Sequence, residues 1–245
     1  WRQRTGRPIY LTPKAEANAT MPNSGGFTAV SRQEAGVLAQ NKVLKNTYML
    51  LAMTLLFSGA TAGVSMAMNL PHPGMILTLV GYFGLLFLTN ALRNSAWGIL
   101  AVFALTGFMG MTLGPILSTY ISAFANGTEL VMTAFTGTGA IFLGLSAYAV
   151  TTKKDFSFLG GFIMVGVLVA FLAGLGAAIF SIPALSLAVS AAFVLLMSAL
   201  ILWETSNIIH GGETNYIMAT VSLYVAIFNL FVSLLQLLAA FAGQE

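Results

Sequence analysis

The chain has 245 residues, 58% of them hydrophobic and only 7% charged, with a mean hydropathy of +0.88. Soluble domains carry roughly a quarter charged residues, so a soluble fold is excluded and the composition is that of a multi-span membrane protein. The net charge is only +3 and the basic residues sit in tails and short loops, which argues against a nucleic-acid-binding face. With no cysteine, disulfides, thiol nucleophiles and cysteine metal sites are excluded as well.

Residues 1–41 contain Pro8, Pro13, Pro22 and the run Asn23-Ser24-Gly25-Gly26, with scattered charges and no apolar periodicity. This composition predicts a disordered tail ahead of a membrane domain over 42–245. The tail lacks the continuous apolar region of a signal peptide. Seven apolar runs follow, at about 46–68, 75–92, 96–120, 130–151, 158–180, 184–208 and 216–241. Each is close to the roughly 20 residues that cross a hydrocarbon core about 30 Å thick. Continuous runs of this length predict helices, not the alternating strands of a membrane barrel, so the expected fold is an all-α bundle of seven transmembrane helices. Between the runs stand Pro71-His72-Pro73-Gly74, Arg93-Asn94-Ser95, Asn126-Gly127, Lys153-Lys154-Asp155, Ser181-Ile182-Pro183 and His210-Gly211-Gly212, all turn-forming chemistry.

The ten Lys and Arg residues set the expected orientation. Seven precede the first run (Arg2, Arg4, Arg7, Lys14, Arg32, Lys42 and Lys45), Arg93 follows the second, and Lys153 and Lys154 follow the fourth. The loops on the other side, near 69–74, 121–129 and 181–183, contain none. The positive-inside rule then places the N-terminus in the cytoplasm and, after an odd number of spans, the C-terminus outside. Gly59 with Gly63, Gly110 with Gly114, and Gly160, Gly161, Gly166, Gly174 and Gly176 stand at spacings that let helices approach closely in lipid. Gly114-Pro115 is expected to kink or interrupt span three, because proline removes an intrahelical hydrogen bond.

Enzymatic chemistry finds little support. No phosphate-cradling loop is present, and Asp155, the only aspartate, lies in a loop, which leaves no pair of aspartates for an intramembrane aspartyl protease. His72 and His210 both fall at loops, where a rhomboid-like serine protease would need a histidine within a span. His210 and Glu213 straddle two glycines and make a poor helical metal site, and no cofactor is implied.

The remaining polar chemistry gathers around Glu204, the only acidic residue within a predicted span. Asn207 lies one turn beyond it, and Ser222, Asn229, Ser233 and Gln236 share one face of span seven, because spacings of seven, four and three keep them aligned. A charge at mid-span costs roughly 2.5–3.5 kcal/mol on insertion scales, so such residues tend to face the bundle and mark function. Two roles are open for Glu204: a carboxylate that reaches the interface or pairs with Arg93 or Lys153, or a protonatable group at the cytoplasmic mouth of a polar seam between spans six and seven.

Several motifs carry a resemblance. Asn46-Thr47-Tyr48, Gly114-Pro115-Ile116, Lys153-Lys154-Asp155-Phe156-Ser157-Phe158-Leu159-Gly160-Gly161, Trp203-Glu204-Thr205-Ser206, and Ser222-Leu223-Tyr224 with Asn229-Leu230-Phe231 resemble the Bax inhibitor-1 family, in particular its proteobacterial inner-membrane, YccA-like branch. The likeness covers about residues 41–242. It implies a seven-helix bundle of the Bax-inhibitor type in the bacterial inner membrane. It implies as partner the ATP-dependent membrane protease FtsH, which engages the N-terminal tail and whose attack on other membrane proteins is restrained. Other bacterial members are similar to a pH-sensitive calcium leak closed by two aspartates on spans six and seven. By that resemblance the first carboxylate falls on Glu204 and the second on Ala226, which cannot titrate, while the family's arginine falls near Arg93. Gating or pore-lining candidates are therefore Glu204, Asn207, Asn229 and Arg93, with calcium ions or protons as the permeant species. The missing carboxyl removes the shared-proton latch, and calcium prefers six to eight oxygen ligands, so the resemblance favours the protease role over the leak.

Overall fold

The computed structural model describes residues 24–243, with side-chain surroundings from residue 38 onward. Among the described residues there are seven helices: α1 Ser24–Ala67, α2 Met75–Leu92, α3 Trp97–Ala123, α4 Gly127–Thr152, α5 Leu159–Ile179, α6 Pro183–Ile209 and α7 Tyr216–Ala242. From Leu38 onward each is long and apolar enough to cross a membrane. The bundle belongs to a compact unit of residues 39–245.

The helix ends lie within a few residues of the apolar runs, apart from the start of α1. Residues 24–41, expected as tail, are helical, and residues 1–23 lie outside the described residues. Ala29, Gln33, Glu34, Ala35, Ala39 and Gln40 are good helix formers, and helix propensity does not depend on an apolar stripe. At the other end of the chain Gln244 and Glu245 also lie outside the described residues. Helix α4 begins three residues before its apolar run, which brings Glu129 into the first turn. There it is exposed, at a helix N-terminus whose dipole favours a carboxylate. Glu204 is thus one of two acidic residues inside spanning helices, and the buried one.

Helix α7 is the axis of the bundle. It packs on α3, α4 and α6 and is hydrogen-bonded to α1 through Ser58 and Tyr224. Its Leu223, Tyr224, Leu230 and Leu235 are among the most completely buried large side chains, and they join Leu51, Leu105, Met197 and Ile201 in the apolar interior. Helices α2 and α5 are peripheral. Ile76 and Phe87 on α2, and Phe162 and Met164 on α5, are each about 70% exposed or more, which in a bilayer is contact with acyl chains.

Close approach of α1 and α3 depends on Gly110 and Gly114. A Cβ at Gly110 would collide with Thr61 Oγ1, and one at Gly114 would stand 2.6 Å from Ser65 Cβ. Pro115 completes the same contact. Helix α3 runs through Pro115 as one helix. The proline lacks the N–H that would bond Met111 O, and Ser65 Oγ of α1 donates to that carbonyl instead (2.8 Å). The other glycines divide. Gly160 meets Trp203 and Gly166 meets Leu196 across the α5–α6 contact, and Gly174 lies 3.4 Å from Val189, whereas Gly59, Gly63, Gly161 and Gly176 face open space. Spacing alone does not distinguish the two groups.

Candidate functional site

The polar residues of α6 and α7 meet at two levels. In the half of the bundle nearer Arg93, Lys153 and Lys154, Glu204 is 3% exposed and its Oε2 accepts from Ser222 Oγ of α7 (3.2 Å). The next residue, Thr205, meets Tyr48 of α1 (3.2 Å between hydroxyl oxygens). Thr220 Oγ1 lies within hydrogen-bond distance of Tyr216 O (2.7 Å) and Thr47 O (3.3 Å). Thr47 Oγ1 itself is buried with no hydrogen-bond partner among the described residues. Toward the far end, Ser190 Oγ donates to Gln236 Oε1 (2.7 Å) and Gln236 Nε2 donates to Ser186 Oγ (2.6 Å). Ser222 and Gln236 therefore do face α6, in the seam that their spacing predicted.

The other candidates bond locally, within their own helix or turn. Asn229 Nδ2 donates to Val225 O within its own helix (2.8 Å). Asn207 carries the turn after α6: its carbonyl accepts from Gly212 N (2.9 Å) and Glu213 N (3.3 Å), and its side-chain oxygen lies where a Cβ on Gly212 would collide. Arg93, the C-cap of α2, is exposed and its Nη1 donates to Asn90 Oδ1 (3.2 Å). Glu204 thus takes a serine hydroxyl as its partner. Ala226, where the resemblance places a second carboxylate, is 0% exposed and part of the apolar interior. Among the described residues no three His, Asp or Glu side chains gather in one place.

The loop motif at 153–155 works through its backbone. Lys153 ends α4 in the left-handed conformation (φ 51°). Its carbonyl faces His210 Nε2 (3.1 Å), while Lys154 O accepts from Ser206 Oγ (3.0 Å) and Phe156 N donates to the same hydroxyl oxygen (3.1 Å). Ser206, in the last turn of α6, and His210, its C-cap, so dock residues 153, 154 and 156 of the α4–α5 loop. Asp155 Oδ1 accepts from Ser157 N (2.8 Å). That bond, the Ser157 side chain and the nearby His210 ring hold the exposed Asp155 carboxyl below its ordinary value. His210 had been set aside as a loop residue, and its spacing of four from Ser206 was the signal for this role.

The α6–α7 connection is tied to α2–α3 by Asn215, to which the sequence reading gave no role. Its Oδ1 accepts from Ile217 N (3.0 Å) and Met218 N (3.2 Å), capping α7, and its Nδ2 donates to Arg93 O and Asn94 Oδ1 (both 3.0 Å). An asparagine directly before an apolar run is a helix-start signature. Glu213 Oε1 in turn accepts from Asn215 N (2.6 Å).

Comparison with known proteins gives the lineage. Residues 40–243 match the family model described as "Inhibitor of apoptosis-promoting Bax1". The Escherichia coli K12 protein named "Modulator of FtsH protease YccA" is 54% identical over 216 residues, 88% of this chain and 97% of that one. An E. coli O6:H1 protein named "Inner membrane protein YccA" matches to the same extent. An uncharacterized protein of Pseudomonas aeruginosa is 57% identical over 203 residues, 83% of this chain and 91% of that one. The match spans all seven helices from residue 40 onward, and the chain belongs to the Bax inhibitor-1 family.

Proposed function

We propose that the protein is a non-enzymatic regulator in the bacterial inner membrane that binds an FtsH-type ATP-dependent protease and restrains its degradation of other membrane proteins. The observation that carries this reading is the 54% identity, over nearly the full length of both chains, to a relative named as a modulator of that protease. The basic residues support an orientation with the N-terminus and the 153–155 loop in the cytoplasm, the side on which an ATP-dependent protease works. In this reading the polar residues 1–41 supply the segment that the protease engages. Co-purification from membranes, with the full chain and with a chain lacking residues 1–41, tests it. The full chain is expected to retain the protease and the shortened chain to lose most of it; equal recovery of both, at the background level, would sink the proposal.

A second reading is favoured by one observation, the burial of Glu204 with Ser222 as its partner. A buried carboxyl beside a serine can bind and release a proton or a cation, which is the chemistry of a leak. Ala226 weighs against it, because a methyl group stands where a second carboxylate would complete the pair. Proton and calcium flux into liposomes, compared between the parent and Glu204→Gln, separates the readings. Flux that the substitution abolishes would move the leak to first place.

A further inference from the structure

Helices α4 and α5 follow one another in the chain, yet among the described residues they do not pack on one another; each packs on α6. The faces of α6 show what lies between them. Val189, Leu196 and Trp203, seven residues apart, meet Gly174, Gly166 and Gly160 of α5. Ser190 and Glu204 meet Gln236 and Ser222 of α7. A third face, formed by Ala191, Leu195, Leu202 and Ser206 at spacings of four, seven and four, serves neither contact. At one end of it the α4–α5 loop crosses Ser206 and bonds to its hydroxyl, which leaves that residue 1% exposed. Toward mid-membrane Ala191 is exposed and Leu195 is 73% exposed. Helix α6 is therefore the floor of a groove walled by α4 and α5, closed at one end by residues 153–158 and open to the side.

The groove is apolar along its length and basic at its closed end. Leu195 stands eleven residues before Ser206, about 16 Å at 1.5 Å per residue, which is roughly half of a hydrocarbon core about 30 Å thick. It thus runs one leaflet deep. At the closed end the carbonyls of Lys153 and Lys154 are held by His210 and Ser206, which fixes where these two exposed side chains start. Asp155, the acid of the same loop, accepts from Ser157 N, and the loop keeps a net positive charge. The rings of Tyr148, Phe156 and Phe158 form a row beside the lysines, with centroids 6.1 and 6.5 Å apart. Aromatic side chains at that level mark the boundary between acyl chains and headgroups.

We propose that this groove binds an anionic phospholipid, with the headgroup phosphate against Lys153 and Lys154 and an acyl chain along Leu202 and Leu195. The closed end decides against a membrane-spanning helix of a partner or of a second copy. Such a helix would have to continue past the loop that lies across its path, whereas a lipid has its head there. A zwitterionic lipid offers the same chains and gains less from the lysines. The site is independent of both readings above, since it needs neither a protease nor an ion pathway.

The test uses the full chain, delipidated in detergent and titrated with dioleoyl phosphatidylglycerol or dioleoyl phosphatidylcholine, with bound lipid read by native mass spectrometry. The parent should retain phosphatidylglycerol in preference. The double variant Lys153→Gln, Lys154→Gln should bind it about thirtyfold more weakly, from two lysines near an anionic headgroup. Arg93→Gln, which removes an exposed cation from a different turn, should bind it like the parent. In membranes, a diazirine-bearing side chain in place of Leu195 should give phospholipid adducts enriched in anionic headgroups. Equal retention of the two lipids, an equal loss in Arg93→Gln, or adducts chiefly to a second copy or to another protein would overturn the proposal.

Discussion

Ser206 and His210 show how much a few side chains at one helix end can organise. The Ser206 hydroxyl serves both Lys154 O and Phe156 N while being only 1% exposed. Ser206→Ala leaves both of those backbone groups without a partner, and we expect a loss of roughly 1–3 kcal/mol. Reversible denaturation in mixed micelles checks this, and a change below a few tenths of a kcal/mol would mean that water replaces the hydroxyl. Asp155 makes a prediction about pH. Its carboxyl is held below the ordinary value by Ser157, so its contribution is present above the unfolded pKa of about 3.8 and is lost as pH falls through the lower folded value. The acid limb of the stability profile, recorded below about pH 4, should flatten in Asp155→Asn. Glu204 was legible from sequence as a lone carboxylate in an apolar run with two roles open, and the structure buries it beside Ser222. His210 was not legible, because its meaning depends on two carbonyls at positions 153 and 206 that only the fold brings to one ring.

Among the helices, the α1–α3 contact shows that small residues matter by where they point. Gly110→Leu should destabilise the bundle by several kcal/mol, because Thr61 and the Ser58 backbone occupy the space. Gly59→Leu faces open space and should be nearly neutral. Unfolding midpoints of the two variants decide the point, and equal effects would refute it. Pro115 invites a double-mutant cycle. Ser65→Ala removes the donor to Met111 O and should cost about 1 kcal/mol in the parent. In a Pro115→Ala background the cost should largely vanish, because position 115 then supplies its own N–H to that carbonyl. The proline was visible in the sequence as the loss of a hydrogen bond. Its consequence was not, since the answer lies on another helix fifty residues earlier.

For the molecule as a whole, apolar run length and turn chemistry made the seven helices and most of their ends legible, because lipid forces every backbone group to be satisfied within a helix. Helix α1 was the exception: its apolar part was found, while residues 24–41 carry polar helix formers that a hydropathy reading assigns to a tail. The central position of α7 was less visible, although its regular polar face, from Ser222 to Gln236, pointed to α6. The family was legible in extended motifs, and the match of residues 40–243 to its model bears them out. The direct measurement is the rate at which an FtsH-type protease degrades a membrane substrate in proteoliposomes, with and without this protein at several ratios, ATP hydrolysis being followed in parallel. The account predicts that substrate degradation slows as the protein is added, while the protease continues to hydrolyse ATP. An unchanged degradation rate at every ratio, with the protein folded and inserted, would contradict it.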